Sequence, residues 1–387
     1  MVRPRSDGAK SMTGRFLNRF AVPCAAGALV LIAVAANAAD KPAASAASGW
    51  DAPAAERYLD SREVWWQSWD RSQKDHRTMC VSCHTQGSYG LARPGLSQQL
   101  GEQAPSAAEQ VMLASIQKRV MNWTQMQPVY SDVISGPGKE VESRNTESVL
   151  NAVILSSYDA PTGHMSPTTH TAFDNAWALQ SPSGPDSGSW VWQNFHFAPW
   201  ESNESQYHWA ALMAMAVGKA PDHYRDDPKI AGNLAALTSY LQSHYAVQPL
   251  LNQIVALWAS QSFPSVVGTA ERAKLVDALT HLQHADGGWS TTDLGPWKRV
   301  DNTPLETRSD GYATALIVLV LEETSVTTRT NPHIARGIAW LLANQNKETG
   351  AWTAWSLNKD RDPKSDPGPF MSDAATSYAV LALEARK

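Results

Sequence analysis

The sequence predicts an all-α protein, an (α/α)6 toroid of helical hairpins. Three observations carry this. Apolar positions at helical spacing recur in paired segments that count out to six hairpins. Three segments share one pattern: an aromatic-Leu helix end, a Gln, then Gly-x-Trp or Gly-Gly-Trp. Trp is 16 of 387 residues, roughly three times ordinary usage, and each copy of the pattern ends on one.

The first hairpin pairs a helix over Ala54–Trp69 with one that begins near Cys83 and runs through Tyr89, Leu91 and Leu96. The second pairs Ala107–Trp123 with Thr146–Ser157, and the third His170–Gln180 with Gln206–Val217. The fourth pairs Lys229–His244, which places Ile230, Leu234, Leu237 and Leu241 on one helical face, with Pro249–Gln261. The fifth pairs Ala270–Gln283 with Gly311–Glu323, and the sixth Pro332–Gln345 with Ala374–Ala385. A hairpin of this kind cannot bury its apolar face alone and must stack on neighbours. Six of them close on themselves when the last helix packs beside the first hairpin.

The repeated segment has a mechanical reading. Its copies are Arg336-Gly337, Trp340-Leu341, Gln345 and Gly350-Ala351-Trp352; Leu279, Leu282-Gln283 and Asp286-Gly287-Gly288-Trp289; and Trp177, Leu179-Gln180 and Gly188-Ser189-Trp190. Gln at a helix end can bond orphan carbonyls or cap the next helix. Gly supplies a turn that a Cβ would obstruct, and Trp packs a large face across to the neighbouring hairpin.

The start of the chain reads as an address. Arg3, Arg5, Lys10, Arg15 and Arg19 precede an apolar run from Ala21 to Ala36, and Ala36-Asn37-Ala38 fits a small-x-small cleavage site. The run is short for a membrane span of roughly 20 residues and contains Pro23. Residues 1–38 are therefore expected to be a secretory signal removed together with Cys24. A disordered Ala/Ser/Pro linker is expected over 39–50. The remainder would carry 27 Lys and Arg against 36 Asp and Glu. That balance argues against a nucleic-acid partner, and no further run is apolar enough to span a bilayer.

The strongest chemical signal is Cys80-Val81-Ser82-Cys83-His84. Two thiols three positions apart on one side of a turn can each add to a vinyl group of one haem, and the next histidine can face the iron. Such attachment takes place outside the cytoplasm, where the expected signal delivers the chain. A structural zinc site lacks further cysteines to complete it, and a redox Cys-x-x-Cys lacks its strand context. Cys80, Cys83 and His84 are thus expected to hold one covalent haem c, with His84 as proximal ligand. Met126, in Gln125-Met126-Gln127-Pro128, is a candidate distal ligand. His196 is a second candidate, and an open position a third possibility. Residues 51–130 are read as the haem-attachment region, either the first hairpins of the toroid or a small cytochrome c domain, and 131–387 as the repeat toroid.

The Gln…Gly-x-Trp copies at 177–190, 279–289 and 336–352 resemble the QW motifs of the terpenoid cyclase / protein prenyltransferase superfamily, a resemblance covering mainly residues 170–387. The segment Val81–Leu96, with Tyr89-Gly90-Leu91-Ala92-Arg93-Pro94 after its Cys-His, resembles the haem-attachment segment of c-type cytochromes fused to such repeats. The resemblance implies an α/α toroid with covalent haem c. It does not extend to cyclase chemistry. Where those enzymes carry an Asp-x-Asp-Asp acid, the comparable helix starts here are Arg308-Ser309-Asp310-Gly311 and Met371-Ser372-Asp373-Ala374, each with one carboxylate. Asp310 and Asp373 are read as helix N-caps or first-turn acids. No cysteine follows Cys83, so the prenyltransferase zinc site has no counterpart.

The haem is expected at the mouth of the toroid, ringed by loops 124–143, 181–203, 285–308 and 346–371 and their tryptophans. Trp190, Trp289 and Trp352 are read as repeat packing, while Trp192 and Trp200 could instead wall the haem. The expectation is a periplasmic, bacterial, monohaem c-type cytochrome that passes electrons to a redox partner bearing basic patches. The alternative is a haem-dependent oxidoreductase or peroxidase acting on an apolar isoprenoid-like molecule in the toroid cavity.

Overall fold

The computed structural model describes residues 49–324 and 330–384. The expected signal segment, residues 1–38, and most of the expected linker lie outside the described residues. The linker's last member does not behave as a tether. Trp50 is buried and its ring lies 5.9 Å from that of Trp352, so the packed unit starts earlier than expected.

Among the described residues, twelve helices of ten residues or more alternate in chain order between an outer and an inner position. They are α1 (Ala52–Ser68), α2 (Gln86–Leu100), α3 (Ala107–Met121), α4 (Lys139–Asp159), α5 (Pro167–Leu179), α6 (Ser205–Lys219), α7 (Ala231–His244), α8 (Leu250–Ala259), α9 (Thr269–His281), α10 (Gly311–Glu323), α11 (Pro332–Asn344) and α12 (Phe370–Glu384). The even-numbered helices pack side by side in a closed ring, α2 on α4, α4 on α6, and onward until α12 returns to α2. This is an all-α toroid. Among the described residues, the only strand pair is the two-residue ladder Gln73–Lys74 with Thr78–Met79. No described helix is long and apolar enough to cross a membrane.

Burial follows position in the ring. Every residue from Gly311 to Leu321 in α10 is buried, as expected of a helix with neighbours all round. Outer α11 buries only Ile334, Gly337, Trp340 and Leu341, one stripe at helical spacing. The helices fall where the sequence places them, and the first two expected pairs, α1 with α2 and α3 with α4, are in contact, but the other four pair differently from the expected hairpins. The outer helices α5, α7, α9 and α11 each pack on the inner helix that precedes them, and α1 packs on both α12 and α2. The short connections 160–166, 220–230 and 260–268 make three of these close pairs. Most of the connections at the other end are long, 69–85, 122–138, 180–204, 282–310 and 345–369.

The Gln–Gly–Trp segment is a joint between successive outer helices. The Gln180 side-chain amide donates to the carbonyls of Gly188 and Asn233, that of Gln283 to Gly287 and His333, and that of Gln345 to Gly350 and Asp51. Each Gln thus ties its own loop to the start of the next outer helix. Gly188, Gly287 and Gly350 have φ of 95°, 93° and 82° and abut the backbone of that same helix, where a Cβ would collide. The indole N–H groups of Trp190, Trp289 and Trp352 donate to Ala176, Leu279 and Leu341 carbonyls near the end of the preceding outer helix. All three tryptophans are therefore packing residues, as the repeat implies. Because the Gln345 joint engages Asp51, the N-cap of α1, it closes the ring.

One inner helix is interrupted. Pro94 sits inside α2 and cannot donate to the Gly90 carbonyl, a defect costing about 3 kcal/mol in an unsupported helix. The Ser157 hydroxyl of α4 supplies the missing donor to Gly90.

Candidate functional site

The Cys-x-x-Cys-His segment forms the turn that leads into α2. The Ser82 hydroxyl accepts the N–H groups of Thr85 and Gln86 at 3.3 and 3.0 Å, so it caps the helix from within the motif. The Trp66 indole donates to the Cys80 carbonyl at 2.9 Å, and the Cys80 N–H bonds Ser72. From the other side, Arg119 of α3 binds Asp75, Thr78, the Gln127 carbonyl and buried Glu147 of α4. The Cys-x-x-Cys-His loop is thereby held between α1, α3 and α4.

Cys80 and Cys83 are both buried and neither is in a disulfide. Burial pushes the Cys80 thiol up to about 11 and that of Cys83 well above its ordinary value, so both are neutral thiols at physiological pH. Among the described residues, no group of three or more His, Cys, Asp or Glu side chains is arranged to hold a metal ion. Both thiols and His84 line one cleft with Val129, Tyr130 and Glu201. Past His84 that cleft opens into a larger space of about 300 Å³.

His84 is set in a fixed tautomer. Asp373 accepts from Arg62 Nε and the Tyr58 hydroxyl, each at 2.8 Å, and from the Thr85 hydroxyl at 2.7 Å. Thr85 has spent its only proton on Asp373, so its oxygen accepts from His84 Nδ1–H at 2.9 Å. The proton is on Nδ1, and the Nε2 lone pair is free to bind a metal. Burial, then the charges of Arg62 and Arg361, lower the imidazole to about 3, which keeps it neutral. Its ring stacks on Phe370 at 3.7 Å, with Trp66 edge-on at 5.3 Å and Trp200 at 6.3 Å.

The cleft is polar in one direction. The thiols lie at its narrow end, and Arg71, Lys359 and Arg361 line the wide one. Among the described residues, none of these three cations has an ion-pair partner within 4.0 Å. Burial lowers Arg361 from its ordinary value, and it lies over the Phe370 ring at 5.7 Å. A haem has vinyl groups on one edge and anionic propionates on another. Two neutral thiols, an imidazole with a free Nε2, aromatic walls and unpaired cations match that polarity.

The residues expected from sequence separate into two groups. Cys80, Cys83 and His84 come together, and Trp200 forms part of the wall. Met126 does not line the cleft. It is buried in the connection after α3, with its carbonyl bound by Arg144. His196 is exposed on its loop with φ 61° and does not line it either. Trp192 stacks on Trp209 at 5.3 Å and is core. Asp310 is the N-cap of α10, bonding the N–H groups of Tyr312 and Ala313. Asp373 is a first-turn acid as read, and it also orients His84 through Thr85. Sequence reasoning passed over Phe370, Met371, Lys359, Arg361 and Glu201, which all line the cleft. Glu201 carries a carboxyl that burial raises to about 7, against the charges of Arg361 and Lys139.

No family model and no curated protein matches the chain. Among solved structures, it shows a likeness to an unsaturated glucuronyl hydrolase mutant, D175N, from Streptococcus agalactiae. The match covers 85% of this chain and 90% of that one at 12% identity, with a TM-score of 0.29. A likeness that slight carries no argument, and the toroid assignment rests on the ring of inner helices itself.

Proposed function

We propose that the protein is a bacterial, periplasmic, monohaem c-type cytochrome that exchanges electrons with a partner protein. The observation that carries the reading is the convergence of two neutral thiols and a neutral, Nδ1-protonated His84 on one cleft. A bound haem would supply a one-electron iron couple. Cys80 and Cys83 would anchor it through thioether bonds, and His84 Nε2 would bind its iron. Thr85 and Asp373 hold the imidazole plane, and Trp66, Trp200 and Phe370 exclude water around it. Arg71, Lys359 and Arg361 offset the negative charge that the propionates bring into the cleft. Export to the periplasm and a partner with basic patches follow from the leader pattern and the acidic balance of the chain.

A second reading is favoured by one observation, that Met126 does not line the cleft. If the sixth position is open, a haem-dependent oxidoreductase or peroxidase acting on an apolar isoprenoid-like molecule becomes the better reading. The test is the optical spectrum of protein expressed where haem c can be attached, oxidised and reduced, with and without carbon monoxide. A haem that resists acid-acetone extraction in the native chain and is lost in the Cys80→Ala, Cys83→Ala double variant supports the first claim. A reduced spectrum unmoved by carbon monoxide supports electron transfer, and a strong shift supports the second reading. Absence of covalent haem under competent maturation refutes both.

A further inference from the structure

The inner helices enclose a second chamber, of about 160 Å³. Its walls come from the C-terminal halves of α2, α4, α6, α8 and α12, with Pro94, Val153, Met215, Trp258 and Leu381 among them. His84 precedes the N-terminus of α2, so the chamber and the thiol cleft occupy opposite ends of that helix.

Three features set it apart from a packing fault. First, its wall on α2 is made by Pro94 and Gly95 in succession, the two residue types a helix interior least favours. Ser157 repairs the Gly90 carbonyl that Pro94 leaves without a donor, and a Cβ on Gly95 would meet the Glu384 carboxylate. Second, the polar side chains on the wall are already bonded elsewhere. Ser156 donates to the Ala216 carbonyl at 3.2 Å, and Ser157 is taken up by Gly90 and Ile154. Lys219 and the Trp258 indole both donate to Glu323, at 2.8 and 2.6 Å. Water needs two to four polar partners to occupy a cavity, and the side chains of this wall keep only the acceptor lone pairs of Ser156 and Ser157 and the remaining N–H groups of Lys219 at the rim. Third, the volume matches the dry, apolar cavities of ~150 Å³ that take up benzene or xenon. Exposed Pro161 and half-exposed Lys219 stand at its rim, so it is reachable from solvent.

We propose that this chamber is a binding site for a small, uncharged, apolar molecule of about the size of benzene or toluene. The proposal stands whether or not haem is attached at the other end. Anionic ligands are disfavoured because the one cation on the wall, Lys219, is already paired with Glu323.

Toluene is the probe. Thermal melting of the purified full chain over a toluene series is expected to show a saturable rise in melting temperature. Ala216→Leu, which fills the chamber from α6, is expected to abolish the rise. Leu381→Phe fills it from α12 and serves if the first variant fails to reach native helical content by circular dichroism. Xenon-pressurised crystals should show a peak among Val153, Met215 and Trp258. No rise in the native chain, an equal rise in a folded filled variant, or crystals without that peak would each overturn the proposal.

Discussion

The joint that closes the ring can be weighed directly. The buried Gln345 side chain accepts from the Asp51 N–H at 2.7 Å and donates to the carbonyls of Asp51 and Gly350 at 2.9 and 3.0 Å. Gln345→Ala removes all three bonds. At a net value of about 1 kcal/mol each, the loss is about 3 kcal/mol. Unfolding entropy of about 2.1 cal/mol/K per residue over roughly 340 residues makes this a fall of about 4 °C in melting temperature. Differential scanning calorimetry measures the fall. Hydrogen exchange should show it as faster opening of α1 and α12, the two helices the joint brings together. Gln180→Ala and Gln283→Ala remove comparable bonds and should cost about as much, with the opening moved to α7 and α11. A Gln345→Ala protein melting within 1 °C of the native one would refute the assignment of closure to this joint.

Other outcomes follow from the same geometry. Thr85→Val leaves the His84 Nδ1–H without its acceptor; it should destabilise the fold by about 1–3 kcal/mol and move the reduction potential of haem-loaded protein, with Thr85→Ser restoring both in denaturation and spectroelectrochemical titrations. Glu63 is fully buried between the side-chain amides of Gln67 and Gln86, and burial raises it to about 7 from 4.5. A raised folded-state value means that its contribution is complete below pH 4.5 and lost as pH rises through 7, a swing of about 3 kcal/mol. Glu63→Gln should therefore flatten the fall in stability between pH 4.5 and 8, seen in urea titrations across that range. Met126→Ala should cost about 2–5 kcal/mol as a core truncation while leaving the reduced haem spectrum unchanged; a changed spectrum would return Met126 to the iron.

The helices were legible because their signal is local. Each needs only its own apolar stripe, as in Ile334, Gly337, Trp340 and Leu341, and its own boundary residues. The Gln–Gly–Trp joint was legible as a pattern, but not its partners. Gln345 meets Asp51 across 294 positions, and nothing near Gln345 marks that distance. The pairing of outer helices with the preceding inner one was missed for a related reason. Sequence proximity suggests a hairpin across any loop, whereas packing favours the short connection over the long one. At the site, Cys80, Cys83 and His84 carry their meaning in their spacing. Phe370, Arg361 and Asp373 carry none until ring closure brings α12 beside α2. Met126 has the chemistry and loop setting of an iron ligand, but the arginine on its carbonyl and its burial are tertiary facts.

The closing joint also makes the ring cyclic in a strict topological sense. The step from α11 past α12 to α1 uses the same Gln, Gly and Trp as two internal steps, so the closing step is built like an internal one. The chain could then be re-cut in the connection at 260–268 and rejoined between Glu384 and Ala52 by a linker as long as the other short connections. Such a circular permutant should keep the ring, the thiol cleft and the axial chamber, because every contact that defines them is between helices whose neighbours do not change.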